Sequence, residues 1–281
     1  MKFSEYNKKE LIDKIDKISI EKVGDFVITK YDGRVINTTK VSLRYEIFDI
    51  VKYLKDKIEL IESNFNISKY SISITKGTQY LKLLSEDIDI NGVRFYKSFY
   101  ILNSTDKSRR LSFNMGLFSE NTNLYIITGS ESSLFKKHLT GVTMAADNVS
   151  LNKESFKEQI GGLESLVGHR VLFSKVKEVI LGENPKDINH RKFDAFRNST
   201  MMSKLVSNMT KEQMRVLRRP SESIDKIESG EDFYLDAFWT LLVYLRLFNR
   251  EDSHTIKNES ERIMKITQWA VRNSVLESLG I

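Results

Sequence analysis

Arg109 and Arg110 open one strand-like run, "RRLSFNMGLF", and tyrosines crowd the run before it, "VRFYKSFYIL". Guanidinium groups pair with phosphates and phenol rings stack on bases. Together the two runs have the chemistry to hold a single-stranded nucleic acid, with stacking worth about 1–3 kcal/mol per base. Which side chains share a face decides the matter, and in a strand residues two apart do. Placing Phe99 on the side of Phe113 gives an apolar row of Val93, Phe95, Phe99 and Ile101 with Leu111, Phe113, Met115 and Leu117, interrupted by Lys97. The opposite face then carries Arg94, Tyr96, Ser98 and Tyr100 beside Arg110, Ser112 and Asn114. A slip of one residue would exchange the two faces. The polar face also has a plain structural reading: tyrosine is a good strand former, and helices from later in the chain could cover it.

A second basic group has helical spacing. Lys211, Arg215 and Arg218 fall at i, i+4 and i+7, with Arg219 beside them and Met214 and Leu217 on the neighbouring face. Such a stripe can follow a phosphate backbone, and it is equally the solvated face of an ordinary helix. The net charge of +6, from 44 Lys and Arg against 38 Asp and Glu, is mild, so its distribution matters more than its size. Between residues 91 and 110, Arg94, Lys97, Lys107, Arg109 and Arg110 face Asp106 alone. Between residues 191 and 220, Arg191, Lys192, Arg197 and Lys204 join the helical stripe against Asp194 and Glu212. Two basic islands in a nearly balanced chain can focus a field on an anionic partner.

Catalytic signatures are missing. The chain has no cysteine, which excludes thiolate nucleophiles, disulfides and Cys-based zinc or iron–sulfur sites. His138, His169, His190 and His254 lack the spacing of a metal site. "SEDIDING" lacks the remainder of an EF-hand loop, and "GSESS" lacks the last glycine of a nucleophile elbow. Neither a P-loop nor a GxGxxG word occurs. The expectation is a protein that is not an enzyme and uses no metal or cofactor. The N-terminal stretch "MKFSEYNKKELIDKIDKISI" alternates charges and does not read as a signal peptide. The most apolar run, Phe233 to Phe248, is broken by Asp236 and Arg246 and falls short of the roughly 20 residues of a span. It reads as a core helix, with no membrane association and a cytoplasmic location expected.

These groups must be positioned by elements that the periodicity suggests. Residues 6–18 look helical. "DFVITKYDGRVI" reads as a hairpin turning at Asp32-Gly33, and residues 44–65 as a long amphipathic helix. "YSISIT", "QYLKLLS", "VRFYKSFYIL", "RRLSFNMGLF" and "NLYIIT" follow as an antiparallel meander with short turns, including Asn91-Gly92. Beyond about residue 130 the spacing becomes helical, with candidates at 152–160, 164–181, 191–207, 211–219, 231–249 and 257–279. The expected fold is α+β: an antiparallel β-meander sheet backed by a long helix, followed by an all-helical C-terminal half. The expected domains are an α+β sheet domain over residues 1–130 and a helical region over 131–281.

The order of elements, with "VSLRYEIFDIVKYLKD", "YILNSTDKSRRLSFNMGLF" and "HRKFDAFRN", resembles a phage- and plasmid-borne family catalogued as domain of unknown function 932. Val41, Ser42, Arg44 and Tyr45 fit its first word. Asn103, Ser104, Asp106 and Ser108 fit its second, and Arg110 with Asn114 its third, with Phe113 where that family has a cysteine and Lys107 where it has a glycine. The likeness spans about residues 40–120. It implies a mobile-element origin and carries over no catalytic residue.

The leading expectation is thus a non-catalytic nucleic-acid-binding protein of a phage or mobile element, favouring single-stranded DNA in binding or annealing and compatible with a homo-oligomer. Arg94, Tyr96, Tyr100, Lys107, Arg109 and Arg110 would form the sheet grip, with Lys211, Arg215, Arg218 and Arg219 as a second phosphate contact. The alternative is a virion or host-interaction protein acting through protein contacts.

Overall fold

The computed structural model describes residues 2–42, 45, 47–75, 77–105, 111–120, 124–127, 134–136, 151–172, 234–239 and 242. Chain contacts divide the protein into two units: residues 1–89, 93–119 and 125–157, and residues 90–92, 120–124 and 158–281.

The first unit is mainly antiparallel β-structure in two sheets. A short strand β1 (Ser4–Glu5) leads to helix α1 (Lys8–Ile15), which Asn7 caps by accepting from the Glu10 N–H. Strands β2 (Ile18–Val23), β3 (Phe26–Tyr31) and β4 (Arg34–Lys40) form a three-stranded sheet in chain order. Asp32 and Gly33 both take positive φ, the conformation a two-residue hairpin needs. Helix α2 (Ile50–Glu62) buries Ile50, Tyr53, Leu54, Ile58 and Ile61, and Asp49 caps its start.

The larger sheet has seven strands. Strands β5 (Lys69–Thr75), β6 (Thr78–Ile90), β7 (Val93–Ser104) and β8 (Leu111–Ser119) are neighbours in that order. β1 adds beside β5, and β9 (Leu124–Ile127) and β10 (Leu134–Lys136) both pair with β8. Pairing of Phe99 with Met115 and of Ile101 with Phe113 puts Phe99 and Phe113 on one face. That face is the core: Phe65 and Phe156 lie 4.9 and 5.8 Å from the Phe99 ring. Tyr70 anchors α1 to it, its hydroxyl donating to Glu10 at 2.9 Å and accepting from Lys14 at 2.8 Å. The two sheets are joined where the Thr29 and Thr105 hydroxyls meet at 2.6 Å, both buried.

In the second unit, β11 (Arg170–Leu172) pairs antiparallel with β12 (Tyr234–Asp236). Helical residues begin again at Ala237, with Asp236 accepting from the Trp239 N–H. Helix α3 (Glu154–Glu164) straddles the boundary between the units.

The expected fold is corrected in two respects. The region expected as one helix-backed meander is mainly β-structure in two antiparallel sheets, because β2 joins the hairpin to make a second one. Among the described residues of the second half, β11 and β12 lie within stretches 164–181 and 231–249 that the spacing suggested were helices. Three-residue strands are too short to impose a period of two, and their pairing partner is far along the chain. The helix candidates 191–207, 211–219 and 257–279 lie outside the described residues.

Candidate functional site

The second face of the seven-stranded sheet concentrates polar and aromatic side chains. Cross-strand pairs Tyr96–Phe118, Ser98–Gly116, Tyr100–Asn114 and Leu102–Ser112 align the even positions of β7 and β8 on it. Pairs Lys69–Leu84, Ser71–Lys82 and Ser73–Tyr80 bring in β5 and β6. Tyr80 and Tyr100 meet edge to face with centroids 4.6 Å apart, and Tyr125 of β9 follows 6.1 Å from Tyr100. The three half-buried phenols form a continuous row across the strands.

Two lysines belong to this face. Lys82, 3 % exposed, holds its ammonium 4.0 Å from the Phe118 ring centre and 5.4 Å from that of Tyr125. Phe3 and Tyr80 stand at 5.8 and 5.9 Å, so four rings surround the cation. Lys69 lies 5.0 Å above Tyr96 and donates to its hydroxyl at 3.4 Å.

Three further groups complete the arrangement. Ser98 donates to the Gly116 carbonyl at 2.9 Å, and Tyr125 donates to the Asn114 carbonyl at 3.3 Å. Burial pushes the Tyr125 phenol far above its ordinary pKa; a hydrogen bond with Ser98 pulls it down and the nearby Tyr100 raises it further. It stays protonated and a donor. The Asn114 side chain is completely buried, yet neither its amide nitrogen nor its oxygen has a hydrogen-bond partner among the described residues. The buried Ser112 hydroxyl has none either. Each such group costs about 1–3 kcal/mol when left unmet, so the pair is a concentrated demand for hydrogen bonds.

The sequence-derived residues distribute unevenly. Tyr96 and Tyr100 share the expected face, but Tyr96, Ser98, Ser112 and Asn114 are buried, so the face is closed to solvent rather than an open platform. Arg94 is exposed and paired with Asp87 at 3.3 Å. Lys107, Arg109, Arg110, Lys211, Arg215, Arg218 and Arg219 lie outside the described residues. Sequence reasoning missed Tyr80, Lys82 and Tyr125. The signal for two of them was present in "QYLKLLS", where Tyr80 and Lys82 sit two apart and so share a face of the strand.

Among the described residues no group of acidic or histidine side chains could hold a metal ion, and no helix is long and apolar enough to cross a membrane. No family model matches this chain, nor does any curated protein or solved structure.

Proposed function

We propose that this chain is a non-catalytic nucleic-acid-binding protein that takes unstacked bases onto the polar face of its seven-stranded sheet, with single-stranded DNA as the favoured partner. The observation that carries the reading is the Tyr80–Tyr100–Tyr125 row beside the ring-enclosed Lys82 and the unmet amide of Asn114. Phenol rings accept bases of any identity by stacking, the lysines favour an anionic strand, and the buried amide supplies hydrogen bonds to a base edge. The basic islands at 91–110 and 191–220 would draw the strand in by long-range attraction. A phage or other mobile-element origin, a cytoplasmic location and assembly into a homo-oligomer belong to the same proposal.

The test is fluorescence anisotropy with a labelled single strand and its duplex across a salt series. Binding that prefers the single strand and weakens steeply with salt supports the proposal. Absence of binding at low salt overturns it.

One observation favours a second reading, an interaction protein. On the three-stranded sheet Val23, Phe26 and Val35 are 58 %, 46 % and 57 % exposed, and Val23 and Phe26 are cross-strand partners that turn apolar surface outward. A protein that neither binds nucleic acid nor stays monomeric in sedimentation would favour that reading.

A further inference from the structure

We infer that Asn114, with Ser112 beside it, reads the hydrogen-bonding edge of one unstacked base, and that the base it fits best is adenine. This rests on the nucleic-acid reading and gives it a chemical specificity. A carboxamide offers one donor and one acceptor side by side, and here both are unmet among the described residues in a fully buried side chain. The complementary ligand must present an acceptor next to a donor on a planar edge. Adenine does so with its 6-amino group and an adjacent ring nitrogen, and asparagine meets that edge in two hydrogen bonds.

The surroundings suit a flat ring. Tyr100 is the direct cross-strand partner of Asn114, and Tyr125 donates to the Asn114 carbonyl from the next strand. Both tyrosines thus belong to strands that neighbour Asn114 on this sheet, Tyr125 reaching its main-chain carbonyl, and their rings can offer stacking surface to a base. Ser112 lies two residues along β8 on the same face, and its unmet hydroxyl supplies one more donor or acceptor to the base or its sugar. Native interiors seldom leave both atoms of a buried amide unbonded, so the Asn114 side chain is a place where a hydrogen-bonding partner fits.

The experiment compares two labelled single strands of equal length in anisotropy titrations. One is all adenine, and in the other each adenine is replaced by purine lacking the 6-amino group. Phosphate contacts are the same in both and each keeps a purine ring to stack, and a preference that Asn114→Leu abolishes is assigned to the base edge. The wild-type protein is expected to prefer adenine by at least about five-fold, the lower end of what one amide–base pair contributes. Asn114→Leu, similar in size and unable to hydrogen bond, is expected to bind the two strands alike while melting no lower than wild type. Ser112→Ala removes a single oxygen and serves if the leucine variant fails to fold, with an expected loss of about three-fold in adenine affinity.

The outcomes separate the two claims. If wild type binds neither strand, the nucleic-acid proposal falls and this inference with it. If wild type binds both strands equally, or keeps its preference in both variants, the proposal stands on stacking alone and the edge-reading role is overturned. An Asn114→Leu protein that melts several degrees lower with its preference intact shows the amide to be bonded within the fold, and also overturns it.

Discussion

Gly77, in the turn between β5 and β6, offers a quantitative test of how the two sheets are joined. Its φ is +79°, and a Cβ added there would lie 2.6 Å from the Asn37 Nδ2 atom and 3.0 Å from the Thr105 Oγ1 atom. Gly33 is the control, with a φ of +74° and nothing within 4 Å of an added Cβ. Alanine in the left-handed region costs about 1–2 kcal/mol, and Gly33→Ala should lose that much and little more. Gly77→Ala must in addition turn Asn37 away, breaking its 2.8 Å bond to Thr39, at about 1 kcal/mol. It also presses on the Thr105 hydroxyl, whose 2.6 Å contact with buried Thr29 links the sheets. The expected total is about 2–4 kcal/mol, measured by urea denaturation with both variants side by side. In an Asn37→Ala background the excess over Gly33→Ala should shrink by about 1 kcal/mol, the coupling a double-mutant cycle reports. Equal losses for Gly77→Ala and Gly33→Ala would refute the reasoning, because they would mean that the junction around Gly77 is not tightly packed.

Further outcomes are expected at other positions. Phe99→Ala should cost about 3–5 kcal/mol in urea denaturation, since the fully buried ring packs between Phe65 and Phe156. Lys14, and to a lesser extent Tyr70, hold the Glu10 carboxylate below its ordinary value of 4.5. Its stabilising effect is therefore complete above that pH and is lost as pH falls through the lowered folded value. Glu10→Gln should flatten the acid limb of the stability curve. The Tyr6 and Tyr125 phenols are both raised above 10.0, chiefly by burial, so folding disfavours their phenolates and stability should fall as pH rises past that point. Ultraviolet titration should show both titrating only with unfolding. Because Tyr96, Ser98 and Asn114 are buried without ligand, strand association should be slower than the typical 10⁵–10⁷ M⁻¹s⁻¹, as stopped-flow anisotropy would show.

Much of the larger sheet was legible because its signals are local. Asn91-Gly92 between β6 and β7 adopts the positive φ that such turn pairs favour, as Asp32-Gly33 does in the smaller sheet. The register that set Phe99 beside Phe113 followed from matching apolar rows, and the Ile101–Phe113 pair shows why: a one-residue slip of either strand would turn its polar row, Ser98 or Asn114 included, onto the Phe99 face. β2 was hidden by its chemistry, since Ser19, Glu21 and Lys22 make "ISIEKV" look like the tail of a charged helix. β11 and β12 were hidden by length and separation. For the site, the tyrosines and Asn114 could be assigned to one face, but not its burial. Period-two alternation says which residues share a side and is silent on whether that side meets water. Lys82 illustrates the same limit, because a lysine two residues from a tyrosine in a strand usually marks solvent and here marks a ring of aromatics.

The central claim is that bases enter the polar face of the seven-stranded sheet. The most direct test is photocrosslinking of a single strand carrying 5-iodouracil, followed by mass spectrometric location of the modified residues. The account expects crosslinks at Tyr80, Tyr100 or Tyr125, lost at each position when that tyrosine is changed to leucine. Crosslinks that fall entirely outside β5–β9 would contradict it.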